Sequence, residues 1–108
     1  MKILFLFVDG IGLGKNDPLT NPFLRAKTPF LDQLLENRKL ISEQSPFSGP
    51  YASLLSLDAC LGVPGMPQSA TGQATLLTGM NIPAQIGYHY GPKPNPEISV
   101  LLTNGNIF

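Results

Sequence analysis

Six consecutive apolar residues, Ile3-Leu4-Phe5-Leu6-Phe7-Val8, are cut off by Asp9-Gly10, and this run restricts the fold more than any other part of the chain. An apolar stretch without alternation is the pattern of a central parallel strand covered on both faces, because every side chain then meets protein. Its brevity and the glycines that follow disfavour a helix. It is too short to cross a bilayer. Although Lys2 precedes it, the run meets Asp9 where a signal peptide would carry a small-residue cleavage site. The expectation is a buried first strand that presents Asp9 at its carboxyl end, where open α/β sheets place their ligand groups.

Downstream, turn chemistry alternates with short periodic segments. Gly10 to Pro18 reads as a loop, extended by Asn21-Pro22. Thr28-Pro29 is a helix start, with Phe30, Leu31, Leu34 and Leu35 on one face and an end near Arg38-Lys39. Tyr51 to Leu57 reads as a short second strand. Ala70 to Thr78 suits a buried helix, with Ser69 as N-cap and Gly79 just past its end. Asn95-Pro96-Glu97 offers a cap, a Pro at the first position and an acidic first turn, with Asn104-Gly105 as the stop; Ile98 and Val100 leave a strand open there.

The length of 108 residues fits a single domain, and 7 basic against 7 acidic residues leave no net field for nucleic acid or an anionic membrane surface. One cysteine, Cys60, excludes an internal disulfide and makes a reducing, cytoplasmic setting the default. With 11 Gly and 11 Pro, long irregular connections are expected, more in keeping with part of a larger α/β domain than with a compact small fold.

Candidate chemistry concentrates at three positions. A carboxylate at Asp9 can hold a hard divalent cation or bond to backbone amides of the following turn. Gly10, Gly12 and Gly14 do not have dinucleotide spacing, since Lys15 stands where the third glycine belongs, and Asn16 stands where a phosphate loop needs Ser or Thr. Ser69 at a helix start is either a plain cap or a nucleophile; no base stands near it in sequence, so metal coordination is the expected activator. His89, the lone histidine, sits between Tyr88 and Tyr90 as a loop residue held by backbone or as a substrate-facing group.

Three segments then combine: Phe7-Val8-Asp9-Gly10, Thr28-Pro29-Phe30-Leu31-Asp32, and Gln68-Ser69-Ala70-Thr71-Gly72-Gln73-Ala74-Thr75-Leu76-Leu77-Thr78-Gly79. Together they resemble the metalloenzyme branch of the alkaline phosphatase superfamily, which includes cofactor-independent phosphoglycerate mutases and phosphopentomutases. The resemblance implies an α/β fold, the N-terminal portion of a doubly wound, mostly parallel sheet with flanking helices, so that residues 1–108 form a single partial domain. It implies a phosphatase-like or phosphomutase-like enzyme acting on a small phosphorylated metabolite. Ser69 becomes the catalytic nucleophile, Asp9 and Ser69 metal ligands, and His89 a substrate contact. Two divalent ions, Mn²⁺ or Zn²⁺, are the implied cofactors of the intact enzyme. Gln73 stands where the mutases carry a His, and the remaining Asp and His ligands of the family have no counterpart here, so the segment by itself is expected to be inactive. Two other classes stay open: an anion-binding module using the Ser69 helix start, and a self-associating piece with the Ile3 to Val8 face uncovered.

Overall fold

The computed structural model describes residues 2–107 and contains four α-helices and one two-stranded sheet. In chain order these are α1 (Pro29–Leu34), β1 (Phe47–Ser48), β2 (Ser53–Leu54), α2 (Ser69–Thr78), α3 (Ile82–Ile86) and α4 (Pro96–Asn104). The protein is thus a mixed α and β chain whose strands pair antiparallel. It divides into two compact units, Met1–Asp9 with Asp58–Phe108, and Gly10–Leu57.

In the Gly10–Leu57 unit, Asn21 is buried and organises the loop: its Oδ1 accepts from the Phe23 amide at 3.1 Å and its Nδ2 donates to the Lys15 carbonyl at 3.1 Å. Gly14 and Ile41 form a lone parallel bridge, with the Gly14 amide on Leu40 and the Ser42 amide on Gly14. α1 starts at Pro29 as its sequence signals, but the Thr28 hydroxyl donates to Asp32 and caps no backbone amide. The helix stops at Leu34, short of Arg38-Lys39, because Glu36 and Asn37 turn left-handed (φ 52° and 64°) and the Asn37 amide returns to the Asp32 carbonyl. Of the four residues expected on its apolar face only Leu35 is buried; Phe30 lies 80% exposed. The second strand expected over Tyr51 to Leu57 shrinks to Ser53–Leu54, paired with Phe47–Ser48 in register Phe47↔Leu54. Phe47 is buried under the Arg38 guanidinium, which stands 4.0 Å from the ring centroid, a cation–π contact.

The other unit is helical at its centre. Ala70 and Ala74 of α2 leave room for Ile82 of α3 and Ile98 of α4, and these four residues are the core. Ile82 and Ile98 are fully buried, and each contributes roughly 1.5–3 kcal/mol of apolar burial. Asn81 and Asn95 cap α3 and α4 by accepting from the Ala84 and Ile98 amides at 3.1 and 2.9 Å. Gly79 closes α2 in the left-handed conformation, φ 71°, where a Cβ would be strained. α4 runs from Pro96 to Asn104 as its cap and stop signals predict, which closes the strand alternative there. α3 has no counterpart in the sequence reading, although Asn81 followed by Pro83 carried the signal.

The buried first strand is corrected. Ile3 to Val8 carry no strand pairing and all six side chains are exposed, Leu4 by 91%. A strand is held by a ladder to a neighbour, and among the described residues no backbone group bonds to residues 2–8. No described helix is long and apolar enough to cross a membrane.

Candidate functional site

The site lies at the N-terminus of α2. The Ser69 Oγ donates to Asp9 Oδ2 at 2.6 Å, joining residues 60 positions apart within one compact unit. Two periodicities explain the meeting. Side chains alternate along an extended stretch, as Ile3, Phe5 and Phe7 do ahead of the turn at Asp9-Gly10; residues four apart on a helix share a face, so Ser69, Gln73 and Leu77 do too. Ile3, Phe5 and Phe7 line an open groove of about 700 Å³ with Gln73, Leu77 and Ile107. Asp9 stands in the turn that ends the first row, and Ser69 opens the helix that carries the second.

Ser69 occupies the first helical position, and Gln68 takes the N-cap place without a side-chain cap. The expected Ser69 cap is therefore corrected: Ser69 stands one position past the N-cap, inside the helix, and its hydroxyl donates to Asp9. The Thr71 amide donates to the Tyr90 carbonyl at 3.0 Å and the Gly72 amide to the Gln68 carbonyl at 3.0 Å. Among the described residues, the Ser69 and Ala70 amides have no protein acceptor, and they add the positive end of the helix dipole to the site. A carboxylate there is favoured by the same dipole.

Around Ser69 the loops are fastened by side chains. Asp58 accepts from the Cys60 and Gly62 amides at 2.9 and 3.0 Å, and Asn81 Nδ2 donates to the Leu61 carbonyl at 2.9 Å. His89 Nε2 lies 3.1 Å from the Val63 carbonyl, so the histidine is tied to backbone. Thr71, fully buried, donates through Oγ1 to the Gln68 carbonyl at 3.1 Å and accepts from the Tyr90 amide at 3.3 Å. The exposed Tyr88 hydroxyl donates to Glu97 at 2.8 Å; this bond to the carboxylate, with burial adding to it, holds the phenol above its ordinary pKa.

Asp9 and Ser69 offer hard oxygen donors, a chemistry that suits a divalent cation such as Mn²⁺. Two donors supply only part of the roughly six-oxygen shell such an ion takes. Among the described residues no group of three or more His, Cys, Asp or Glu side chains stands together. The structure thus brings Asp9 to Ser69, and it holds His89 through one ring nitrogen. Thr71, Tyr90 and Gly91 had no site role in the sequence reading, where Thr71 stood only within the Gln68 to Gly79 segment, Tyr90 only beside His89, and Gly91 only in a loop. Comparison with protein-family models, with curated proteins and with solved structures finds no significant match.

Proposed function

We propose that Asp9 and Ser69 form the nucleophile end of a phosphoryl-transfer or phosphate-ester-hydrolysing site, of phosphatase or phosphomutase type. The observation that carries this reading is the 2.6 Å hydrogen bond from Ser69 Oγ to Asp9 Oδ2. A serine hydroxyl needs help to lose its proton, and a carboxylate already accepting that proton orients the oxygen lone pairs away from itself and receives the proton as the oxygen attacks phosphorus. The Ser69 and Ala70 amides favour the phosphoryl oxygens beside the attacking atom. Attack forms the Ser69 O–P bond as the bond to the leaving oxygen breaks in line and that oxygen departs with a proton; water or an acceptor hydroxyl then attacks phosphorus, breaks the Ser69 O–P bond and returns Ser69 to its free hydroxyl.

The resemblance to the alkaline phosphatase superfamily supports Ser69 as the nucleophile, implies a metal-binding role for Asp9, and adds the finer fold, a doubly wound parallel sheet in which Ile3 to Val8 would be covered. Asp9 and Ser69 would hold a divalent ion, Mn²⁺ or Zn²⁺, whose contribution when bound is neutralisation of charge at the nucleophile and the phosphoryl group. The substrate is a small phosphorylated metabolite in the cytoplasm, and His89 Nδ1, the ring nitrogen not held by Val63, is the atom left for contact with it.

Replacing Ser69 with Ala in the intact protein removes the attacking oxygen, and metal-dependent phosphate release or transfer should fall at least about a thousandfold. Wild-type turnover in that variant would end the proposal. The two free amides also favour a second reading, a module that binds an anion without catalysis. Calorimetry with inorganic phosphate separates the two: binding strengthened by Mn²⁺ favours the metal site, and binding indifferent to Mn²⁺ favours the module.

A further inference from the structure

The segment His89-Tyr90-Gly91 touches the chain at three points on either side of Ser69. His89 Nε2 meets the Val63 carbonyl at 3.1 Å, ahead of the loop that leads into the helix. The Tyr90 carbonyl receives the Thr71 amide at 3.0 Å, two residues after Ser69. Gly91 lies against the turn itself: a Cβ built on it would stand 3.1 Å from the Ser69 amide nitrogen, 3.2 Å from Gln68 Cβ and 3.3 Å from Gln68 Oε1. Thr71 joins the two sides, since its one hydroxyl donates to the Gln68 carbonyl at 3.1 Å and accepts from the Tyr90 amide at 3.3 Å. This side chain thus bonds both the residue before Ser69 and the strap beside it, and couples the position of one to the other.

We infer that this strap positions the Ser69 oxygen on Asp9, with Thr71 and Gly91 as positioning residues. The inference rests on the reading of Ser69 as nucleophile. Gly91 is not in the left-handed region, so an alanine is conformationally allowed there, and space rather than backbone freedom requires glycine. A methyl group at Gly91 must push the Ser69 turn by a few tenths of an ångström. That shift reaches the Ser69 Oγ–Asp9 Oδ2 bond, 2.6 Å long, and lengthens or tilts it toward the weak end of its range, and misplacement at a reacting group is costly to catalysis.

The test is the ¹³C resonance of the Asp9 carboxyl carbon in the 108-residue chain, which reports the Ser69 hydrogen bond without any assay of turnover. Ser69→Ala fixes the resonance of the unpaired carboxylate. Gly91→Ala and Thr71→Val should each move the Asp9 resonance most of the way to that position while amide spectra stay dispersed, and Thr71→Ser, which keeps the hydroxyl, should restore it. A wild-type Asp9 resonance in either folded variant overturns the inference, as does failure of Thr71→Ser to restore it. If one variant unfolds the other decides, and unfolding of both makes the strap a structural brace and refutes the positioning role. An Asp9 resonance unmoved by Ser69→Ala would instead remove the pairing on which the functional reading stands.

Discussion

At the scale of single residues, the chemistry turns on which partner each polar group finds. Ser69 reads in sequence as a helix cap, but the helix takes Gln68 at that place and Ser69 one position inside, where its hydroxyl donates to the Asp9 carboxyl group. Asp9→Asn keeps the shape and removes the carboxylate, and on the proposed phosphoryl-transfer reading turnover should drop about a hundredfold or more while the fold stays intact. Activity at the wild-type level in that variant would take Asp9 out of the mechanism. Tyr88 gives a second residue-level expectation. Its pKa is raised from 10.0 mainly because its hydroxyl donates to Glu97. The folded state therefore binds this proton more tightly than the unfolded chain. The contribution is fully present below the ordinary value and is lost as pH rises through the raised one. Stability of the α4 region should decline above about pH 10, and Tyr88→Phe should flatten that decline; an identical alkaline profile in the variant would show that the bond carries no linkage.

At the scale of elements, terminal residues do much of the specifying. The Asn95 side chain satisfies the Ile98 amide at the start of α4, so Asn95→Ala should destabilise the helical unit by about 1 kcal/mol in urea unfolding. Gly79 is open to solvent on the side where a Cβ would stand, yet its φ is 71°. Alanine there meets no atom and suffers only the left-handed penalty, about 1 kcal/mol, also readable by urea unfolding. A neutral result would mean that α2 can end one residue earlier without loss. Inside α2 the threonines knit the next turn: Thr78 Oγ1 accepts from the Met80 amide and Thr75 Oγ1 from the Ile82 amide, both at 3.2 Å. Residues that weaken a helix by propensity here fasten it to its neighbour.

At the scale of the whole molecule, the two units should answer to different conditions. Asp17, whose carboxylate accepts first from the Leu19 amide, and Asp32, which accepts first from Lys39, both have lowered pKa values. Their contribution to the Gly10–Leu57 unit is present above the ordinary value of 3.8 and lost as pH falls through the lowered values. Amide protection in that unit should fade over this acid range, and joint replacement of Asp17 and Asp32 by Asn should reduce the fading. The Ile3 to Val8 run exposes six apolar side chains, a patch that should bind hydrophobic dyes and favour association near zero net charge. Leu4→Lys with Leu6→Lys should lower dye fluorescence and change the unfolding free energy by no more than about 0.5 kcal/mol; a larger loss would mean that the segment contributes to the core.

What the sequence determined by itself is local. The Asn95-Pro96 start, the Gly79 and Asn104-Gly105 stops and the Pro29 start each depend on atoms within a few residues of one another, so residue type alone specifies them. The same holds for the signal at Asn81-Pro83, which was there to be read and marks α3. Decisions over long sequence distance belonged to the tertiary structure. Ile3 to Val8 has the composition of a covered strand, but a strand exists only where a second one offers its hydrogen bonds, and no described segment does. Asp9 and Ser69 were each legible as candidates. Their hydrogen bond was not, because the direction of a side chain sixty residues away is set by how an extended segment lies along a helix, a relation that no pattern within either segment encodes.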